Sequence, residues 1–248
     1  MAPSRSGSLE SLRERNRLRV VDLLRQRGSA SRAEIARETG LSRTTVSSLV
    51  ADLIEVGMLN EIADPQDSRG SQAGRPPILL ALNGSTGALV GVDFGHSHLR
   101  VAVADLAFNV LAETETDVET DYGSSDALDT AGALVADVLA EAGVDRSQIL
   151  GAGMGLPGPI EMDSGRVDSR RILPGWVDID PAAELEERLG VPVYIDNDAN
   201  AGALGESRLG AGRDSQVMTN VRLSAGIGLG IVIDGRPFRG ARGTGVRR

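Results

Sequence analysis

What this chain lacks sets its limits first. It has no cysteine, so disulfides and thiolate metal sites are excluded within it. It has no lysine either: all 26 basic residues are arginine. A lysine-dependent phosphate loop and Schiff-base chemistry are therefore closed to it. No stretch approaches the roughly 20 apolar residues that a membrane helix needs. The opening Met1-Ala2-Pro3-Ser4-Arg5-Ser6-Gly7-Ser8 has no apolar core for a signal peptide. A cytoplasmic protein is expected, with no membrane partner, no metal and no other cofactor.

What is present is unevenly spread. The 248 residues leave room for a small domain and a larger one, and we expect them at 1–83 and 84–248. The net charge is −9, yet residues 1–80 hold 12 arginines against 10 carboxylates. The remaining residues are strongly acidic. A weakly basic head on an acidic body suggests that only the head touches nucleic acid.

Within the head, Ser31 and Glu34 have capping-box spacing, which starts a helix. Gly40 can end it in the left-handed conformation. Ser42 then caps a second helix, with Val46, Leu49, Val50 and Leu53 as its buried stripe. Two short helices joined by a tight glycine turn form a helix-turn-helix, whose second helix enters the DNA major groove. Ser42, Arg43, Thr44, Thr45, Ser47 and Ser48 supply its polar N-terminal face. Arginine pairs bidentately with guanine, and hydroxyls bond to bases or phosphates. A face chosen only for solubility would carry more glutamate and more charge pairs.

Met58–Ile62 and Ile78–Leu82 read as a hairpin around a polar loop, Asp64–Pro77, which makes the motif winged. The loop ends Gly74-Arg75-Pro76-Pro77. Proline keeps this backbone extended, and Arg75 suits the negative potential of the minor groove. An ordinary linker would also be rich in glycine and proline.

The body alternates strands and helices, which indicates an α/β domain. Strands are expected at Ala88–Asp93, Leu99–Asp105, Val110–Thr116, Ile149–Met154 and Val191–Ile195. Helices are expected at Ser125–Ala142, Pro181–Leu189 and Asn197–Arg208, with a closing hairpin of Gln216–Leu223 and Ile227–Ile233. Three consecutive strands at the start argue against a plain dinucleotide-binding fold.

Four local patterns recur along this body: Gly91-Val-Asp93-Phe-Gly95, Gly153-Met-Gly-Leu-Pro157-Gly158-Pro159, Asp196-Asn197-Asp198-Ala-Asn200, and Gly226-Ile-Gly228-Leu-Gly230. In this order, behind a winged helix-turn-helix, they resemble the ROK family of repressors, open reading frames and sugar kinases. The resemblance runs from about residue 12 to 243. It implies an actin-like, ribonuclease-H-type ATPase fold and sugar-linked transcriptional control.

Each pattern also has chemistry of its own. Asp93 and Gly95 at a strand-to-strand turn could position a metal–nucleotide, and Gly226 and Gly228 could let backbone amides approach phosphate. Asp198 could take a proton from a sugar hydroxyl, the base role in phosphoryl transfer. Asn197 offers a donor and an acceptor to vicinal hydroxyls, and Gly158 brings bare backbone to a ligand. Helix capping explains Asp196-Asn197-Asp198 equally well.

The departures favour a sensor over an enzyme. The family's kinases continue the first pattern with glycine and threonine, where this chain has His96 and Ser97. Imidazole would crowd the approach that glycine permits. Gly-Thr usually precedes the last glycine run, and here Ser224 and Ala225 stand instead. His96 and His98, two apart in a turn, are weak grounds for a metal. After Arg239-Gly-Ala-Arg-Gly-Thr244 the family continues with a Glu-x-Gly-His segment and a cysteine-rich zinc signature, whereas this chain reads Gly245-Val-Arg-Arg248. The resemblance therefore implies that a C-terminal lobe is missing, that apolar surface is left exposed and that the sugar site is half built. The expected function is a sugar-responsive repressor that binds a double-stranded operator, as a homodimer when full length, with a sugar or sugar phosphate as effector. A hexose kinase using ATP, with Asp198 as base, is the alternative.

Overall fold

A computed structural model describes residues 10–63, 78–118, 123–161, 164–167, 173–177, 179–213, 215–224 and 226–240. The chain divides into two compact units: Met1–Gly87 with Asp105–Asn109, and Ala88–Ala104 with Val110–Arg248.

The first unit contains α1 (Glu10–Arg27), β1 (Ser29–Ser31), α2 (Arg32–Thr39), α3 (Arg43–Glu55), β2 (Leu59–Ile62) and β3 (Leu79–Leu82). Both ends of α2 follow from local chemistry. Ser31 and Glu34 form the reciprocal capping box, and Gly40 closes the helix at φ 69°. The Ser42 hydroxyl then accepts the Thr45 amide at 3.1 Å and starts α3. The stripe Val46, Leu49, Val50 and Leu53 is buried against Val20 and Leu24 of α1, Ile35 of α2, and Leu59 and Leu80. Each such side chain contributes about 1.5–3 kcal/mol relative to exposure. The antiparallel sheet has the order β1-β3-β2, with Leu80 facing Ala30 on one side and Glu61 on the other. The hairpin expected at 58–62 and 78–82 is therefore present, with β1 added beside it. Its loop, residues 64–77 with Arg75, lies outside the described residues.

The second unit is built on a five-stranded sheet: β4 (Ala88–Phe94), β5 (His98–Asp105), β6 (Val110–Asp117), β7 (Ile149–Leu156) and β8 (Val193–Asn197), in the order β6-β5-β4-β7-β8. The β4-β7-β8 strands run parallel, and β6 pairs antiparallel with β5. Helices α4 (Ser124–Ala142) and α5 (Pro181–Leu189) bury Leu128, Val135, Leu185 and Leu189 in its core, with a T-shaped Phe94–Trp176 pair, ring centroids 5.1 Å apart. A last helix, α6 (Asp198–Arg208), packs against a hairpin of β9 (Val217–Leu223) and β10 (Ile227–Ile233), which β11 (Arg236–Pro237) extends.

One strand begins later than the sequence suggests. Val191 and Pro192 lie outside β8, because proline has no amide hydrogen for the ladder. The Pro192 carbonyl still accepts from Ala152 at 2.9 Å. The outer face of the β9–β10 hairpin is apolar and open, with Leu223 75% and Ile227 63% exposed. No helix among the described residues is long and apolar enough to cross a membrane.

Candidate functional site

Two places bring the expected residues together, one in each unit. In the first, α3 turns its N-terminal polar face outward. Arg43, Thr44, Ser47 and Ser48 are exposed, while Thr45 is half-buried. Ser42 and Thr45 are partly spent on each other, their hydroxyl oxygens 2.8 Å apart at the helix cap.

The arginines of this unit differ in how they are used. Arg13 and Arg17 of α1 both hold Asp52, and together they keep its carboxyl below the usual aspartate range, hydrogen bonding from Arg13 being the main cause. Arg27 pairs with Glu38, and Arg32 with Glu61 at 2.9 Å. Arg19 donates to the Thr39 carbonyl. Arg43 makes neither an ion pair nor a hydrogen bond among the described residues.

The second place is a cleft in the second unit. Pro157, Gly158, Pro159, Asn197 and Asp198 line it from the ends of β7 and β8. Arg222, Ser224 and Gly226–Leu229 line it from the hairpin, and His96 completes it. Sheet register creates this convergence: Asp93, Gly155 and Asp196 are neighbours across β4, β7 and β8. Gly155 carries no side chain between them. A Cβ there would sit 3.2 Å from Asp93 Oδ1 and 3.6 Å from the Asp198 Cα.

Asn197 is the cap of α6. Its Oδ1 accepts from the amides of Ala199 at 3.0 Å and Asn200 at 3.3 Å, and its Nδ2 donates to the Gly158 carbonyl at 2.8 Å. Gly158 stands at φ 143°, a backbone conformation that needs glycine. The amide of Asn197 thus both starts the helix and pins the loop.

Asp196, which sequence reasoning treats only as a cap candidate, is a hub. Its Oδ1 accepts from the Asn197 amide at 2.8 Å and from Asn200 Nδ2 at 3.0 Å. Its Oδ2 accepts from Arg239 Nε at 3.0 Å and Nη2 at 2.6 Å.

Asp198 is largely buried, with 14% of its side chain exposed. Desolvation pushes its carboxyl above the ordinary range, while Arg222 and the Ala199 amide oppose that rise. No sequence pattern singles out Arg222. It donates to both oxygens of Asp93, at 3.3 and 3.0 Å, and lies 3.6 Å from Asp198 Oδ2. Its Nη2 is also 3.2 Å from His98 Nε2, and since a guanidinium only donates, Nε2 is the acceptor of that hydrogen bond.

The glycines expected to admit phosphate are placed differently from one another. A Cβ on Gly95 would meet the His98 ring at 2.1–2.6 Å, so Gly95 makes room for imidazole. The crowding expected of His96 is thus supplied at this glycine by His98. A Cβ on Gly228 would meet the Ala199 Cβ at 2.9 Å, so this glycine lets the hairpin pack on α6. Gly226 has open space around it. Ala225 and residues 241–248 lie outside the described residues. No group of three or more His, Cys, Asp or Glu side chains among the described residues is placed to hold a metal.

The model of the ROK family matches residues 89–246, and the chain belongs to that family. The model of the MarR family matches residues 14–70, the helix-turn-helix unit. The xylose repressor of Caldicellulosiruptor bescii is 31% identical over 237 residues, 96% of this chain and 58% of that protein. A crystal structure of a ROK family transcriptional regulator, a homologue of the Escherichia coli MLC protein, superposes with a TM-score of 0.74. It covers 96% of this chain and 58% of its own, and at 24% identity it shows the shared fold. A ROK glucokinase from Streptomyces griseus, solved with glucose and AMPPNP, is 28% identical with a TM-score of 0.58. That match covers 65% of this chain and 49% of the glucokinase. The chain therefore spans a little over half the length of the repressors it resembles.

Proposed function

We propose that this chain acts in transcriptional control, as a repressor that binds operator DNA through α3 and answers a small sugar through the cleft. The observation that carries the reading is Arg43. Among the described residues it makes no ion pair or hydrogen bond and stands on an exposed polar face, while Arg13, Arg17, Arg27 and Arg32 of the same unit are engaged with carboxylates. An arginine kept free of intramolecular partners is available to a guanine edge or a phosphate. Thr44, Ser47 and Ser48 flank it, and Arg75 reaches the minor groove in the same reading. A two-fold dimer binding two half-sites is the arrangement this motif uses. The repressor names among the relatives support the same role.

The effector is a monosaccharide or its derivative, met by the Gly158 loop, Asn197 and Asp198. Asn197 takes part mainly by fixing Gly158, since its own amide is committed. The chain does not phosphorylate the sugar. The raised carboxyl of Asp198 is what a kinase base would need, and it keeps that second reading testable.

The test is fluorescence anisotropy with operator fragments selected from a random duplex pool. Binding should fall with salt as phosphate contacts predict, and Arg43→Ala should relax one base position. Loss of less than twofold for both Arg43→Ala and Arg75→Ala would sink the DNA assignment. Sugar-dependent ATP turnover that Asp198→Asn abolishes would replace the repressor with a kinase. Monosaccharide binding by calorimetry that Asp198→Asn leaves unchanged would remove the cleft from the sugar reading.

A further inference from the structure

The cleft contains a cation already. Asp93 at the end of β4 and Asp198 at the start of α6 converge, and both face the guanidinium of Arg222. Two glycines clear the ground for this meeting: Gly155 leaves room for the Asp93 carboxylate beside the Asp198 backbone, and Gly95 for the His98 ring.

The kinases of this family imply a metal-bound nucleotide, and these residues do not fit one. A hard divalent cation needs carboxylate oxygens and retained water. Here both oxygens of Asp93 are engaged by the guanidinium fork, and the nearer oxygen of Asp198 faces the same group. A guanidinium has no lone pair to offer a metal, keeps its charge at all working pH values and repels a second cation. The same group is no receptor for a free polyphosphate, because two carboxylates already neutralise it and leave the trio at −1.

We propose that Arg222 is the resident counter-ion of this cleft. It takes the place a divalent cation would take between Asp93 and Asp198, and so bars a metal-bound polyphosphate. His98 reinforces it by accepting from Nη2 and by covering Gly95. The proposal concerns the cleft alone and stands whether or not α3 binds DNA.

The charge balance makes it testable in both directions on the full chain. Titration with Mn2+, followed by the resonance of the free ion, should show no cleft-bound metal in the wild type at about millimolar concentration. Arg222→Ser should bind one Mn2+ at least about tenfold more tightly, and Asp198→Asn added to it should remove that binding. Arg222→Lys keeps a cation and should gain nothing. The opposite change uses near-isosteric substitutions: Asp93→Asn with Asp198→Asn frees the guanidinium. That variant should bind inorganic tripolyphosphate at least about tenfold more tightly than the wild type, without metal.

If Arg222→Ser does not fold, the asparagine double variant decides alone. The proposal is overturned by wild-type binding of Mn2+ that matches Arg222→Ser, by a folded Arg222→Ser that gains no Mn2+, or by a double variant that gains no affinity for tripolyphosphate. None of these readings depends on turnover or on operator binding.

Discussion

Arg43 and Arg222 are the same residue type under opposite treatment. Arg43 projects from the start of α3 into solvent with no partner among the described residues. Arg222 is three-quarters covered and held by Asp93, Asp198 and His98. Burial costs a charge its hydration, so a covered arginine persists only when carboxylates compensate. An exposed one is already solvated and can wait for a ligand. In the roles proposed above, the first is kept for a partner and the second already fills its site.

The comparison breaks most visibly at Arg222. Replacing it with alanine leaves two carboxylates facing each other. The expected cost is about 2–3 kcal/mol, below the ~3–5 of a fully buried pair because the group is partly exposed. The cost should depend on pH. Asp198 is already raised above its ordinary 3.8 by burial, and loss of Arg222 raises it further. A carboxyl raised in the folded state contributes its stability below the unfolded value and loses it as pH rises. The deficit of Arg222→Ala should therefore be small near pH 4 and grow toward pH 7, as read by urea unfolding at each pH. A deficit that shrinks as pH rises would refute the ion-pair account.

Packing around the cleft gives the next effect. A Cβ on Gly230 would lie 2.1 Å from the Ala199 carbonyl oxygen, which is backbone and cannot swing away. Gly230→Ala should cost about 1–3 kcal/mol, measured by thermal unfolding. Arg43→Ala sharpens the contrast. Stability should stay within ~0.5 kcal/mol of wild type, while operator binding should weaken by about 1–3 kcal/mol. A comparable loss of stability would mean that Arg43 has a structural partner.

The smallest effect lies at the start of α2. Ser31→Ala should cost about 1 kcal/mol at neutral pH. Hydrogen bonds from the Ser31 amide and hydroxyl hold the Glu34 carboxyl below its ordinary 4.5. A carboxyl lowered in the folded state contributes stability above its unfolded value and loses it as pH falls. The penalty of Ser31→Ala should thus narrow below about pH 4.5, where the box comes apart in the wild type as well.

Legibility in the sequence follows the range of the interaction. The box at Ser31, the turn at Gly40, the cap at Ser42 and the stripe of α3 are local, and each is present. No local pattern announces helix α1. It is anchored chiefly by Val20 and Leu24 at its C-terminal end, and its first half carries arginines with no apolar period. Strand β1 is three residues long and is a strand only because β3 pairs with it. Asn197 could be read as cap or as ligand, and the partner that commits its Nδ2, the Gly158 carbonyl, is 39 residues away.

The sequence by itself determined the order of elements from α2 to β10, both ends of α2 and the family, because these rest on neighbours within a turn or a strand. Tertiary structure alone decided which charges meet. Asp93 and Arg222 are 129 residues apart, and no local pattern ties them. Parallel strands β4, β7 and β8 had to align Asp93, Gly155 and Asp196, and the hairpin had to close on α6, before that guanidinium could stand between two carboxylates. The free energy of such a contact depends on burial and on the partner, which a linear sequence does not contain.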